Sequence, residues 1–212
     1  MLHLQRLGCA NVEPVSPSHH LPGLLEALAI AVDAGLSLPV VYNTNAYESL
    51  ETLELLDGIV DIYLPDIKYA DDDIAAKYSD ADNYVDTART AILVMYSQVQ
   101  DLVVGATGRA LRGLILRHLV LPEDLSGTDA TLRWASEQLP RTVTLSLMAQ
   151  YAPLHRAKEL PPLDRKLTAQ EYDRAVNLAW DLGFHNAFVQ DLESTDTCVP
   201  DFTREEPFDW PA

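Results

Sequence analysis

The sequence predicts an α/β protein built on a parallel sheet with crossover helices. Short β-rich runs alternate with longer stretches of helical period along most of the chain, as in strands joined by crossover helices. Five or six such βα units can be counted. That is too few for a complete eight-stranded barrel, and it suits a partial barrel or an open doubly wound sheet. No GxGxxG and no GxxxxGK followed by Ser or Thr comes after any strand, which weakens dinucleotide-binding and P-loop readings.

The elements follow in order. Asn11 to Val15 reads as a first short strand, then Ser16-Pro17-Ser18 leads into a helix from His20 to Gly35. Leu21, Leu24, Leu25, Leu28 and Val32 repeat there at helical spacing, and Gly35 supplies the stop. Leu38 to Tyr42 is the next strand and Glu48 to Leu56 the next helix. Ile59 to Leu64 is a third strand ending at Pro65-Asp66, followed by helices over Asp71 to Tyr78 and Asp82 to Gln98. Leu102 to Gly113 is an excursion with turns at Gly105 and Gly108, and Gly113 to Val120 is strand-like. Gly127 to Leu139 reads as helix and Thr142 to Leu147 as strand. Tyr151 to Leu167, with three prolines, reads as a long loop. Ala169 to Gly183 is helical and Ala187 to Gln190 a last strand. The expected division is a βα barrel over 1–190 and an acidic tail over 191–212.

Composition narrows the function classes. Apolar residues make up 48% of the 212 residues and charged residues 22%, an ordinary globular balance. A net charge of −17 and a pI near 4.5 argue against unaided nucleic-acid binding, which needs clustered Lys and Arg, and against docking on anionic membranes. No apolar run of about 18 residues is present for a membrane span, and the start lacks the layout of a signal peptide. The expected place is the cytoplasm. The two cysteines, Cys9 and Cys198, form no CxxC or comparable metal spacing. Cys9 reads as a small buried residue and Cys198 as incidental in the acidic tail.

In parallel βα proteins ligands bind at the carboxyl ends of the strands, where βα loops and helix N-termini converge. Here those ends carry Ser16-Pro17-Ser18-His19-His20, Asn43-Thr44-Asn45, Asp66-Ile67-Lys68, Arg117-His118 and Gln150-Tyr151. Each has an ordinary structural role open to it. The serines can cap a helix, the Asn-Thr-Asn run can form a turn, Asp66 and Lys68 can pair across one strand face, and His118 can be packing. The set as a whole points to a small polar ligand bearing a carboxylate and hydroxyls.

The run VYNTNAYESLETLELLDGIVDIYLPDIKY (41–69), RHLVLP (117–122) and Gln150-Tyr151-x-Pro153 resemble the radical S-adenosylmethionine proteins akin to pyruvate formate-lyase activating enzymes. The resemblance runs from about Met1 to Gln190. It implies an α/β fold of the partial, TIM-barrel-like (β/α) type. It also implies reductive cleavage of S-adenosylmethionine at a 4Fe–4S cluster and hydrogen abstraction from a protein partner of the glycyl-radical kind. By motif, His19 falls in the segment that holds the methionine amino group. Asn43, Thr44 and Asp66 match a monovalent-cation site beside the cofactor, Lys68 a lysine pairing with the methionine carboxylate, and Arg117 an arginine near ribose and carboxylate. Asn43 stands where the family carries a carboxylate, Ala46 where it carries glycine, and Ala152 where it carries histidine.

The resemblance starts at the helix before the family's second strand. The first strand and the CxxxCxxC segment have no counterpart here. Cluster ligation needs thiolates at fixed local spacing, so the expectation is a truncated protein, inactive as given, that retains most of the cofactor-holding barrel. The missing edge strand leads to an expectation of dimerisation through an exposed sheet edge. Two other readings stand beside this one: a non-catalytic βα-barrel binding or interaction domain, and a metal-dependent hydrolase using His19, His118 and Asp66.

Overall fold

The computed structural model describes residues 1–192. Cys198 and all of the expected acidic tail except Asp191 and Leu192 lie outside the described residues. Helix α1 (Leu2–Arg6) opens the chain and α2 (Leu21–Asp33) follows. Along α2 the stripe of Leu21 and Leu28 is buried, but it continues through Ala31 and leaves Val32 exposed. The segment 12–15, expected as a strand, makes two isolated parallel bridges, Val12 to Val40 and Val15 to Asn43.

Strand β1 (Val41–Thr44) begins three residues later than its apolar run suggests. Pro39 has no N–H to give to a ladder, and the Val40 N–H goes instead to the Asp61 carboxylate at 2.8 Å. Helix α3 (Leu50–Leu56) starts at Ser49, whose hydroxyl accepts the Thr52 N–H. Strand β2 (Ile62–Pro65) pairs in parallel with β1 through Val41–Ile62 to Thr44–Pro65. It stops at Pro65, as its sequence suggests, so Asp66 and Lys68 lie beyond it and the alternative of a pair on one continuing strand face does not arise.

Helix α4 (Asp72–Ser79) is capped by the Asp71 carboxylate, which accepts the Asp73 and Ile74 N–H groups. Helix α5 (Tyr84–Val99) buries Ala88, Ala91, Ile92 and Met95. The excursion after it is a hairpin, with β3 (Val103–Val104) antiparallel to β4 (Ala110–Leu119). Strand β4 therefore starts earlier than the run from Gly113 implies. Gly113 has φ +127°, and a Cβ there would fall 2.5 Å from the Asp101 carbonyl oxygen, so the close pass of the two backbones requires glycine. Helix α6 (Thr128–Gln138), strand β5 (Thr144–Met148), helix α7 (Ala169–Asp181) and strand β6 (Ala187–Val189) complete the described chain. Helix α7 opens with a reciprocal capping box between Thr168 and Glu171.

The hydrogen-bonded order is β1-β2-β4-β5-β6, with β3 beside β4. The protein is thus an α/β fold on a largely parallel sheet, consistent with the expected partial barrel. The chain divides into two compact units. The first holds 1–67, 83–116 and 142–144; in it α5 packs on β2 and α3, around buried Tyr42, Leu53, Tyr63, Ile92 and Met95. The second holds, within the described residues, 68–82, 117–141 and 145–192; in it α6 packs on α7, around Leu132, Ala135, Leu147, Ala179 and Phe184. Burying each of the leucine, isoleucine, methionine and phenylalanine side chains among these contributes about 1.5–3 kcal/mol. Among the described residues no helix is long and apolar enough to cross a membrane.

Candidate functional site

In the first unit the carboxyl ends of β1 and β2 meet side by side. The Asp66 N–H donates to the Thr44 carbonyl at 2.8 Å, carrying the parallel register one residue past the strand. The Tyr84 hydroxyl, at the first residue of α5, lies 3.1 Å from the Asn45 carbonyl and 3.1 Å from that of Asp66. One phenol thus staples the two strand ends, and its ring stacks on Tyr47 at 5.9 Å between centroids. Thr44 and Asp66 are brought together here through their backbones, with Asn43 one residue earlier on β1.

Behind them sits a group that the sequence reading missed. Glu48, only 4% exposed, accepts hydrogen bonds on Oε1 from the hydroxyls of Thr44 at 2.5 Å, Ser18 at 2.7 Å and Tyr42 at 3.3 Å. The turn that makes this possible passes through fully buried Ala46 at φ +64°, a left-handed residue, with its N–H on the Thr44 hydroxyl at 3.2 Å. Alanine therefore adopts the conformation that glycine takes without steric cost. Burial pushes the Tyr42 phenol up to about 12, with the Glu48 carboxylate acting in the same direction. Read as the first residue of a helix, Glu48 looks like an ordinary solvated charge. The available signal was its spacing of four from Thr44 across a tight turn.

Asn43 is tied to the segment before α2. Its side-chain amide donates to Glu13 at 2.8 Å, and its backbone N–H and carbonyl bond to Pro14 and Ser16. His19 is exposed in a short 3-10 turn, Ser18–His20, with its ring 4.3 Å from that of His20. Its neighbour Ser18 is the residue that reaches the Glu48 cluster.

In the second unit Arg117 is half-buried and donates to the Met148 sulfur at 3.2 Å. Lys68 is half-buried in the wall of a cavity of about 390 Å³. His118 is fully buried and its Nε2 lies 2.9 Å from the Thr128 hydroxyl. It is core packing at the start of α6, as the ordinary reading allowed. Among the described residues no three His, Cys, Asp or Glu side chains are grouped to hold a metal ion. Cys9 is half-buried, not buried as expected, because it follows α1 at a turn where its N–H returns to Leu4.

Comparison with known proteins bears on the architecture. A crystal structure of a domain of a pyruvate-formate lyase-activating enzyme from Bacteroides vulgatus superposes with a TM-score of 0.60, covering 86% of this chain and 99% of that domain. The chain shares the fold of that domain. Sequence identity between them is 14%, so the likeness concerns the fold alone. An uncharacterised protein of Methanocaldococcus jannaschii is 33% identical over 165 residues, 77% of this chain. The chain spans 43% of that relative's length. No family model matches the sequence.

Proposed function

We propose that the chain is an S-adenosylmethionine-binding βα domain of the radical S-adenosylmethionine kind. The observation that supports this best is the stapled strand end in the first unit. There Tyr84 and a backbone hydrogen bond hold together the backbones of Thr44, Asn45 and Asp66, in the two stretches that carry the motif residues Asn43, Thr44 and Asp66, in a fold shared with an activating-enzyme domain. In this reading Lys68 and Arg117 serve the methionine carboxylate, Arg117 also the ribose, and His19 lies in the segment that meets the amino group. Asn43 gives one amide N–H to Glu13 and Thr44 gives its hydroxyl to Glu48. The Asn43 side-chain oxygen and the Asp66 carboxylate are oxygen donors of the kind that suits a monovalent cation or a hydroxyl.

The residues of this sequence do not fit a 4Fe–4S cluster. It holds two cysteines, at 9 and 198, where the family's local motif has three thiolates. The chemistry assigned to this chain is accordingly binding and orientation, and no radical step is routed through it. A second reading, in which Asp66, Lys68 and Arg117 are kept for recognition alone, is a βα domain that engages a protein partner without chemistry.

Isothermal titration of the full chain with S-adenosylmethionine, in sodium and in potassium buffers, tests the first reading. The expected result is saturable one-to-one binding, weakened about tenfold, or roughly 1.4 kcal/mol, by Asp66→Asn and by Lys68→Gln. A folded protein that shows no saturable uptake would leave the second reading in place.

A further inference from the structure

The cavity of the second unit has a chemistry opposite to that of the whole chain. Although the protein carries a net charge of −17, the wall of this 390 Å³ space presents Lys68, Lys77 and Arg156 together with His155. None of the described residues lining it is acidic. The cations come from three separate places: the segment after β2, helix α4, and the 3-10 turn His155–Glu159. Such convergence within an acidic protein makes a local positive field that draws anions to one place.

The remaining wall is apolar and aromatic. Tyr69 is buried and its hydroxyl lies 2.9 Å from that of Ser79; the Tyr151 hydroxyl donates to the Leu163 carbonyl at 2.7 Å. Both phenols are thus held by their polar tips. The Lys77 ammonium stands 4.8 Å from the Tyr78 ring centroid, a cation–π distance. The volume lies within the range of about 300–1,000 Å³ usual for small-molecule sites, which combine apolar walls with a few convergent polar groups.

We propose that this cavity binds a small organic anion with a flat, apolar body, its charge taken by Lys77 and Arg156 and its body by the tyrosine and leucine wall. This goes beyond the reading given above, which assigns only Lys68 among these residues and assigns it to a different ligand. Carboxylate and phosphate share the required chemistry, and the probes distinguish them.

The test titrates the full chain with 2-naphthoate, 2-naphthyl phosphate and neutral 2-naphthamide, followed by ligand-observed NMR and calorimetry. At least one anion is expected to bind saturably and about tenfold or more tighter than the amide, since a charge-assisted contact is worth that much. The tighter of the two identifies the anionic group. Lys77→Gln and Arg156→Gln are each expected to weaken the anion about tenfold and leave the amide unchanged, with circular dichroism confirming the fold. Equal affinity for amide and anions, no binding of either anion, or an unaffected Lys77→Gln/Arg156→Gln double variant would each overturn the proposal. S-adenosylmethionine titrated into the same samples separates the two ideas. Anion binding without S-adenosylmethionine binding removes only the earlier reading, and the converse removes only this one.

Discussion

The cluster around Glu48 and the cavity beside Lys68 use polar side chains in opposite ways. In the first, a buried carboxylate in the turn after β1 gathers three hydroxyls, one from the segment before α2 and two from β1. Those groups satisfy one another and fix the backbone that presents Asn43, Thr44 and Asp66. In the second, cations from separate elements line a space large enough for a ligand. Polar residues at strand ends thus divide into those that build a site and those that line one. Sequence position alone does not tell them apart.

The comparison breaks most sharply at Glu48. Glu48→Ala leaves buried hydroxyls without their acceptor and is expected to cost about 3 kcal/mol of stability, since hydrogen bonds to a charged group contribute about 1.5–3 kcal/mol each and do not add fully. Urea unfolding measures it. A loss below about 1 kcal/mol would mean that the cluster does not hold the fold. Next comes Tyr84→Phe, which removes the staple between Asn45 and Asp66 and is expected to cost about 1 kcal/mol. It should also weaken S-adenosylmethionine binding while leaving naphthyl anions unaffected. In the cavity, Lys77→Gln and Arg156→Gln are expected to stay within about 0.5 kcal/mol of the parent in stability, as surface substitutions do. A large destabilisation there would turn the cavity wall into a second structural cluster.

The smallest effect concerns pH. The Arg165 guanidinium, 2.8 Å from Glu171, together with backbone N–H groups, holds the Glu171 carboxyl well below the usual carboxylate range. A depressed folded-state pKa contributes stability above the ordinary carboxylate value and loses it as pH falls through the folded one. Urea midpoints measured from neutral to acid pH should therefore decline in the acid range, and Arg165→Gln, by bringing the folded-state value of Glu171 back toward the ordinary one, should make that decline shallower and end it at higher pH. A decline of unchanged depth in Arg165→Gln would assign the acid sensitivity to other carboxylates.

Much of the fold was legible because helices record their buried face every three or four residues. The stripe of Leu21 and Leu28 located α2, and the caps at Ser49, Asp71 and Thr168 lie where the helical patterns begin. Strands were less exact, since pairing sets their ends. Val40 spends its N–H on Asp61, which delays β1, and a hairpin with Val103 extends β4 backwards. The convergence of Asn43, Thr44 and Asp66 followed from the parallel topology. The Glu48 cluster required knowing that Ala46 turns left-handed. The cation set required the 3-10 turn that brings Arg156 to the wall, inside a stretch whose prolines announced only a loop.

The bridges of segment 12–15 bear on how the molecule opens. Four backbone hydrogen bonds, from the N–H groups of Val12, Val41, Asn43 and Ser16, attach this segment along β1. They run through a stretch where Pro14 and Pro17 can give none. A border attached by so few bonds exchanges its amide hydrogens through a local opening that leaves the β1–β2 ladder intact. Peeling it would free Asn43 from Glu13, so deuterium would enter the border amides ahead of those that join β1 to β2.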